Sequence, residues 1–265
     1  MAQCPNCESD RVYDNICLNC GKIFPEREFV SAGELLFYRG KAAFQAEDYD
    51  GAIKELIPLF KPDSANLQSD VPEWMLEFAC EYLAVACREK CRYNEAVEYA
   101  AKEIERKPES ERAYESRALA YSGAGRYEEA IADYTRAIEL AEAAEYLSSP
   151  TLASLYKLRA CAYKQTGQFD KAISDMDNAL KFNEDSLNID LYSIMDAIVT
   201  TDSDGNVISL HDSAQSDLYS LRAEIHEAAG DYQKAIEDCK EALQHYPAQA
   251  SAKEILARCE SNIKE

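Results

Sequence analysis

Four cysteines in two pairs, Cys4-Pro5-Asn6-Cys7 and Cys17-Leu18-Asn19-Cys20, are the residues of this chain best suited to chemistry. Two thiolates separated by two residues can turn back on one ion, and two such pairs supply the four soft ligands of a closed tetrahedral zinc site. Pro5 behind the first Cys and Gly21 behind the last suit tight turns of this kind. Between the pairs, Arg11-Val12-Tyr13 reads as a short strand, while Val12, Ile16 and Ile23 are too few to build a core without metal. Cys4, Cys7, Cys17 and Cys20 are therefore the expected ligands of one structural Zn2+. An iron centre would use the same four thiolates. A redox dithiol would need a βαβ pattern around a pair, and neither pair has one. With every position filled by sulfur, catalysis at the metal is disfavoured.

The segment from Met1 to about Phe24 resembles the zinc-ribbon family in the spacing of its knuckles, which implies a small ribbon domain over residues 1–25. Glu8 departs from the Gly that often follows the first knuckle. Many ribbons bind nucleic acid, but Arg11, Lys22 and Arg27 are set here among Glu8, Asp10, Asp14, Glu26 and Glu28, a mixture better suited to docking protein. The whole chain points the same way. Against 28 Lys and Arg stand 49 Asp and Glu, a formal charge of −21 that repels phosphate backbones and anionic lipid. No apolar run approaches a membrane span, and Met1-Ala2-Gln3-Cys4 does not open like a signal peptide, so a soluble cytoplasmic protein is expected. Cysteines in that setting do not form a disulfide framework. Cys80, Cys87, Cys91, Cys161, Cys239 and Cys259 fall singly on helical segments and read as small apolar filling, with Cys87 and Cys91 on one helix face.

After Phe24-Pro25 the composition turns to Ala, Glu, Tyr, Leu and Lys with helical periodicity, so a domain boundary falls between Pro25 and Ser31. A turn residue and an aromatic then precede a spaced pair of alanines again and again. Gly125-Arg126-Tyr127 leads to Ala130 and Ala137, Gly167-Gln168-Phe169 to Ala172 and Ala179, and Gly230-Asp231-Tyr232 to Ala235 and Ala242. Each unit is a helix hairpin that buries its apolar face only by stacking on a neighbour. Ahead of these turns stand Tyr114-x2-Arg117-Ala118-x2-Tyr121, Tyr156-x2-Arg159-Ala160-x2-Tyr163 and Tyr219-x2-Arg222-Ala223-x2-His226. They resemble the first-helix signature of the tetratricopeptide family, with Ala for its Gly and Arg for its Leu. The arginines are expected to pack their stems and send their heads to solvent. His226 stands at an aromatic core position, so a packing role is expected.

The resemblance covers nearly all of Ser31 to Glu265. It implies an all-α fold, a right-handed α-solenoid of about five hairpins over residues 31–265. Two diverged hairpins come first, marked by Ala52 and Ala96, and then those of Ala130, Ala172 and Ala235. Asp70-Val71-Pro72-Glu73 and Ser149-Pro150 read as helix starts. An insertion near 186–212 reads as a helix over 187–198 followed by a hairpin of Val199-Thr200-Thr201 and Asn206-Val207-Ile208. Its Asp202-Ser203-Asp204-Gly205 is a plain turn, because His211 stands where a calcium loop needs its bidentate Glu. A capping helix is expected over 248–263.

The chain shows no phosphate-cradling Gly run, nucleophile elbow or metalloprotease helix, so no enzymatic activity is expected and function is sought on a surface. In the tetratricopeptide family the first helix of each hairpin lines a concave groove. By register the resemblance implies partner contacts at Phe37, Lys41, Phe44, Tyr82, Arg112, Lys157 and Lys164, with Phe78 beside Tyr82 and an acidic end at Asp217, Leu221 and Glu224. A subset of the family grips the acidic tail of heat-shock chaperones through a fork of Lys and Arg. Here the first window holds Phe37, Lys41, Tyr82, Arg112 and Ser116, so no such grip is expected. The leading expectation is a non-catalytic adaptor holding a protein or peptide. A regulatory subunit whose ribbon touches nucleic acid, and a thiol enzyme using the Cys pairs, remain as rivals.

Overall fold

The computed structural model of the protein describes residues 12–13, 16–17, 31–61, 71–144, 149–185, 199–201 and 207–264. They fall into two compact units, Met1–Arg126 and Tyr127–Glu265. Of the expected zinc ligands, Cys4, Cys7 and Cys20 lie outside the described residues and Cys17 is described only in its backbone. That backbone belongs to a hairpin in which β1 (Val12–Tyr13) runs antiparallel to β2 (Ile16–Cys17), with Val12 opposite Cys17 and Tyr13 opposite Ile16. The pairing agrees with the strand expected at Val12 and Tyr13.

The other elements described in the first unit are helical. Helix α1 (Ala32–Gln45) packs on α2 (Tyr49–Leu56), which runs into a 3-10 turn at Ile57–Phe60 where Pro58 removes a backbone donor. Helix α3 (Glu73–Glu89) packs on α4 (Tyr93–Arg106), and α4 on α5 (Glu111–Gly123). A capping box starts α1: the Glu34 amide donates to Ser31 Oγ at 3.1 Å, and the Ser31 amide to Glu34 Oε2 at 2.9 Å. Helix α3 starts later than expected. Pro72 is its N-cap in an extended conformation (φ −55, ψ 142) with no side-chain cap bond, and Asp70 lies outside the described residues. Gly40 lets α1 and α2 close on each other, because a Cβ there would overlap the Leu56 side chain. Phe37, Leu56, Leu59 and Leu83 are fully buried in the resulting core, and each such side chain stabilises the unit by about 1.5–3 kcal/mol.

The second unit begins with α6 (Tyr127–Ala143), which packs on α7 (Ser149–Gln165), and α7 packs on α8 (Phe169–Asp185). Strands β3 (Val199–Thr201) and β4 (Val207–Ser209) pair antiparallel, as expected for the insertion. The helix expected over 187–198 and the turn at Asp202–Gly205 lie outside the described residues. Helix α9 (Leu210–Ala228) packs on α10 (Tyr232–His245), and the expected capping helix is α11 (Ala250–Lys264), which buries Ala252, Ile255 and Cys259. The register is visible in burial. Marker residues Ala52, Ala96, Ala130, Ala172 and Ala235 have no exposed surface, and neither have Ala118, Ala160 and Ala223 of the first helices. No described helix is long and apolar enough to cross a membrane.

All five first-to-second-helix turns close alike. Gly125, Gly167 and Gly230 adopt φ values of 74, 71 and 82, and the amide after each donates five residues back, as Arg126 does to the Tyr121 carbonyl at 2.9 Å. In the first two hairpins the left-handed place is held by Glu47 (φ 58) and Cys91 (φ 57), with the same bonds from Asp48 to Ala43 and from Arg92 to Cys87. Cys91 therefore lies in the turn beyond α3 and shares no helix face with Cys87, against expectation. A Cβ in this conformation costs about 1 kcal/mol that glycine avoids. Cys91→Gly is expected to stabilise the protein by about that amount, visible as a higher denaturation midpoint at unchanged slope.

Candidate protein-binding surface

Three aromatic residues one helical turn apart, Trp74, Phe78 and Tyr82, form a ladder along α3. Their ring centroids are 6.2 Å and 6.1 Å apart, and Tyr82 stacks in turn on Phe44 of α1 at 4.7 Å. Trp74 is 48% exposed and Phe78 40%, among the few large apolar side chains so open to solvent in the described residues. Phe37 does not join them at the surface. It is 1% exposed, underneath, with its ring 5.9 Å from Trp74 and 6.2 Å from Tyr82, so it supports the ladder as core and the contact expected of it is corrected. The reason is geometric, since α1 packs on α2 and α3 together and position 37 faces both.

A second row on α3, one residue earlier in each turn, carries carboxylates. Glu73 pairs with Arg106 at 2.9 Å, Glu77 with Lys107 at 2.5 Å, and Glu81 with Arg112. Lys107 also sits 5.8 Å from the Phe78 ring centre. Rigid, partly open aromatics beside paired cations make the kind of anchor that protein interfaces use. Arg112, expected as a partner contact, is thus already engaged within the unit, and Lys41 of α1 is half-buried.

Beneath this surface α4 buries Glu103, 5% exposed, with Oε2 lacking a hydrogen-bond partner. Burial pushes its carboxyl up to about 7; Glu81 and Glu77 push the same way, while Arg112 and Lys107 oppose them. A carboxyl held above its unfolded value contributes stability that is complete below about pH 4.5 and lost as pH rises through about 7. Glu103→Gln is expected to flatten that slope and to exceed the wild type by about 2 kcal/mol at pH 8, measured by denaturation across pH 4–8.

In the second unit one of the two expected cations is also engaged. Lys164 of α7 bonds Glu224 of α9 at 2.7 Å. Lys157 borders a groove of about 160 Å³ between α7 and α9, with Ser154, Asn183 and Asp217. Two of the three signature arginines turn their heads to carboxylates across the hairpin rather than to solvent alone, which corrects a second expectation for Arg159 and Arg222. Arg159 forms a two-pronged pair with Asp175 of α8 (2.8 and 2.8 Å), donates to Thr135 at 3.0 Å, and lies 5.4 and 5.8 Å from the Tyr156 and Tyr163 ring centres. Arg222 repeats the arrangement with Asp238 of α10 (2.9 and 2.6 Å) and Tyr219, adding Asp177 at 2.6 Å. Both aspartates are almost fully buried. The hydrogen bonds hold the Arg159 and Arg222 guanidinium groups charged against the pull of burial. A signal for the pair was present: each Asp follows its Arg by 16 residues. Trp74 was missed too, although its spacing to Phe78 and Tyr82 was there to read.

The helices carry no activated thiol at the cysteines whose environment is resolved. Burial raises Cys80 and Cys239 to about 12 and Cys87 to about 11, and it raises Cys161 and Cys259 as well, so all five stay protonated near neutrality. His226 is buried, and burial holds its imidazole below the usual range, consistent with the packing role expected.

Comparison with known proteins bears on the fold. Two tetratricopeptide-repeat family models match, one over residues 109–185 and another over 216–248. Among curated proteins no sequence matches significantly. Among solved structures, a crystal structure of MamA superposes with TM-score 0.56 at 20% identity, covering 83% of this chain and 94% of that one. BtubC (BKLC) from P. vanneervenii gives TM-score 0.60 at 16% identity, covering 82% of each. MamA from Desulfovibrio magneticus RS-1, residues 41 to the end, gives 0.57 at 15%, covering 83% and 98%. Residues 109–185 and 216–248 are therefore tetratricopeptide repeats, and the described helices before them carry the same hairpin fold.

Proposed function

We propose that the protein is a non-catalytic adaptor that holds a protein or peptide partner against the first helices of its hairpins, with a zinc-bound ribbon ahead of the array. The observation that carries the first part is the exposed Trp74–Phe78–Tyr82 ladder, because a monomer gains nothing by leaving two such rings in water. A charge of −21 selects against nucleic acid and acidic tails as partners. For the ribbon, the β1–β2 hairpin turns the chain back between the two Cys pairs, a return that suits four ligands on one ion. Zinc held by Cys4, Cys7, Cys17 and Cys20 would supply structure only, as it leaves no open position.

The test is capture from native lysate on the full chain, wild type against Trp74→Ala/Phe78→Ala. Both residues are substantially exposed, so the variant is expected to keep its unfolding midpoint and lose the partner. Retention of the partner by this variant, with loss on altering residues 187–210, would move the working surface to the insertion.

A further inference from the structure

Glu103 belongs to α4, which packs on both α3 and α5, and its buried Oε2 has no hydrogen-bond partner. Charges act on it from each side of that packing. Helix α3 brings Glu77 and Glu81, α5 brings Arg112, and Lys107 follows α4 itself. Cys80 of α3 also lies close, but burial keeps that thiol protonated and uncharged. Two further cations near the thiol are Lys102 and Arg106, and Arg106 is held by Glu73 at 2.9 Å. Three carboxylates, Glu77, Glu81 and Glu103, thus share Lys107 and Arg112. Both cations are already engaged at the surface, Lys107 by Glu77 at 2.5 Å and Arg112 by Glu81.

This count of charges sets two states. With Glu103 protonated, the two surface pairs are balanced, and they flank Phe78 and Tyr82 of the ladder. Losing the proton to water adds a third carboxylate where water does not solvate it, and such a charge draws any cation within reach. The groups free to move are Lys107 and Arg112, whose side chains are 48% and 65% exposed, against 16% and 14% for Glu77 and Glu81. Drawing them inward breaks the surface pairs and takes Lys107 from its place 5.8 Å from the Phe78 ring centre. Burial with two like charges pushes the Glu103 carboxyl up to about 7, so both states are populated near neutral pH.

We infer that Glu103 is a proton switch beneath the partner-binding surface: its neutral form orders the ion pairs beside Phe78 and Tyr82, and its ionised form unsettles them. The inference rests on the adaptor reading and adds the regulation of that same surface. A partner seated on the ordered pairs favours the neutral carboxyl, so binding takes up a proton. By reciprocity, binding weakens as pH rises through about 7.

The first unit gives an uncluttered readout. His211, His226 and His245 all lie beyond Arg126, so it has no histidine to titrate near neutrality. The test follows, by NMR on the isotopically labelled full chain from about pH 5 to 9, the Glu103 carboxyl carbon and the backbone amides of Glu77, Phe78 and Glu81. All are expected to move with a common midpoint near 7. Glu103→Gln should remove that midpoint from the three amides. Glu81→Gln should lower it by about one pH unit, because it takes away a like charge and releases Arg112 to Glu103. Partner captured from native lysate by the wild type should fall about fivefold between pH 6 and pH 8, and that captured by Glu103→Gln should not. A Glu103 carboxyl titrating in the ordinary range, amides that ignore it, or capture that is equal at both pH values or falls in both proteins would overturn the inference. No partner at either pH would fail the adaptor reading alone, since the resonances of the free chain still decide the switch.

Discussion

Asp175→Ala is expected to destabilise the second unit by about 3 kcal/mol, far more than loss of a surface ion pair. The Arg159 side chain is 14% exposed and that of Asp175 6%, and the two meet through a pair of parallel bonds. Removing the carboxylate leaves a guanidinium without counter-charge beside the Tyr156 and Tyr163 rings, with Thr135 Oγ1 still accepting from it. Arg159→Leu alone strands Asp175 in the same way. The double replacement Arg159→Leu/Asp175→Leu removes both charges and restores the apolar residue that the repeat signature carries at position 159. It is expected to recover most of the loss, since desolvating two charges consumes much of what their attraction returns. A double-mutant cycle on denaturant unfolding reads the coupling. A cost below about 1 kcal/mol for Asp175→Ala would mean that water reaches the pair and that it acts as an exposed one.

That pair also shows where reading the chain alone reaches its limit. The hairpins of Ala130, Ala172 and Ala235 were legible because each second helix follows a glycine that the left-handed turn requires. The first two were harder to see for a physical reason: Glu47 and Cys91 accept the strained conformation and remove the glycine that marks it. Helix faces were legible in burial of the marker alanines, but not in Phe37, where one position faces two neighbouring helices and so falls inside the core. Arginine in place of Leu read as a solvent-seeking head because periodicity describes one helix at a time. Its partner sits 16 residues on, across the hairpin, where only the repetition of the interval could have exposed it. Of the expected cationic contacts, Arg112 and Lys164 turned out to hold neighbouring helices together through Glu81 and Glu224. Lone charges in a sequence say nothing of the carboxylates that folding brings beside them.

Removing the proposed Zn2+ is expected to have the largest effect of all, and one confined to the ribbon. Purified protein should carry about one zinc per chain, because two Cys pairs make one tetrahedral site. Where a site exists only in the folded state, metal binding is folding free energy, about 10–16 kcal/mol for structural zinc near neutral pH. Val12, Ile16 and Ile23 offer too little apolar surface to replace it. Chelation should therefore strip amide protection from residues up to about Phe24, and Cys4→Ser or Cys20→Ser should do the same without a chelator. The helical units should keep their far-UV signal, since their cores are built from Ala, Leu, Phe and Tyr, and among the described residues no metal-binding cluster stands in them. Acid should mimic chelation as the thiolates take up protons. Ribbon amides that stay fully protected in metal-free protein would end the zinc proposal. Iron absorption in the isolated protein would keep the four ligands and change the ion.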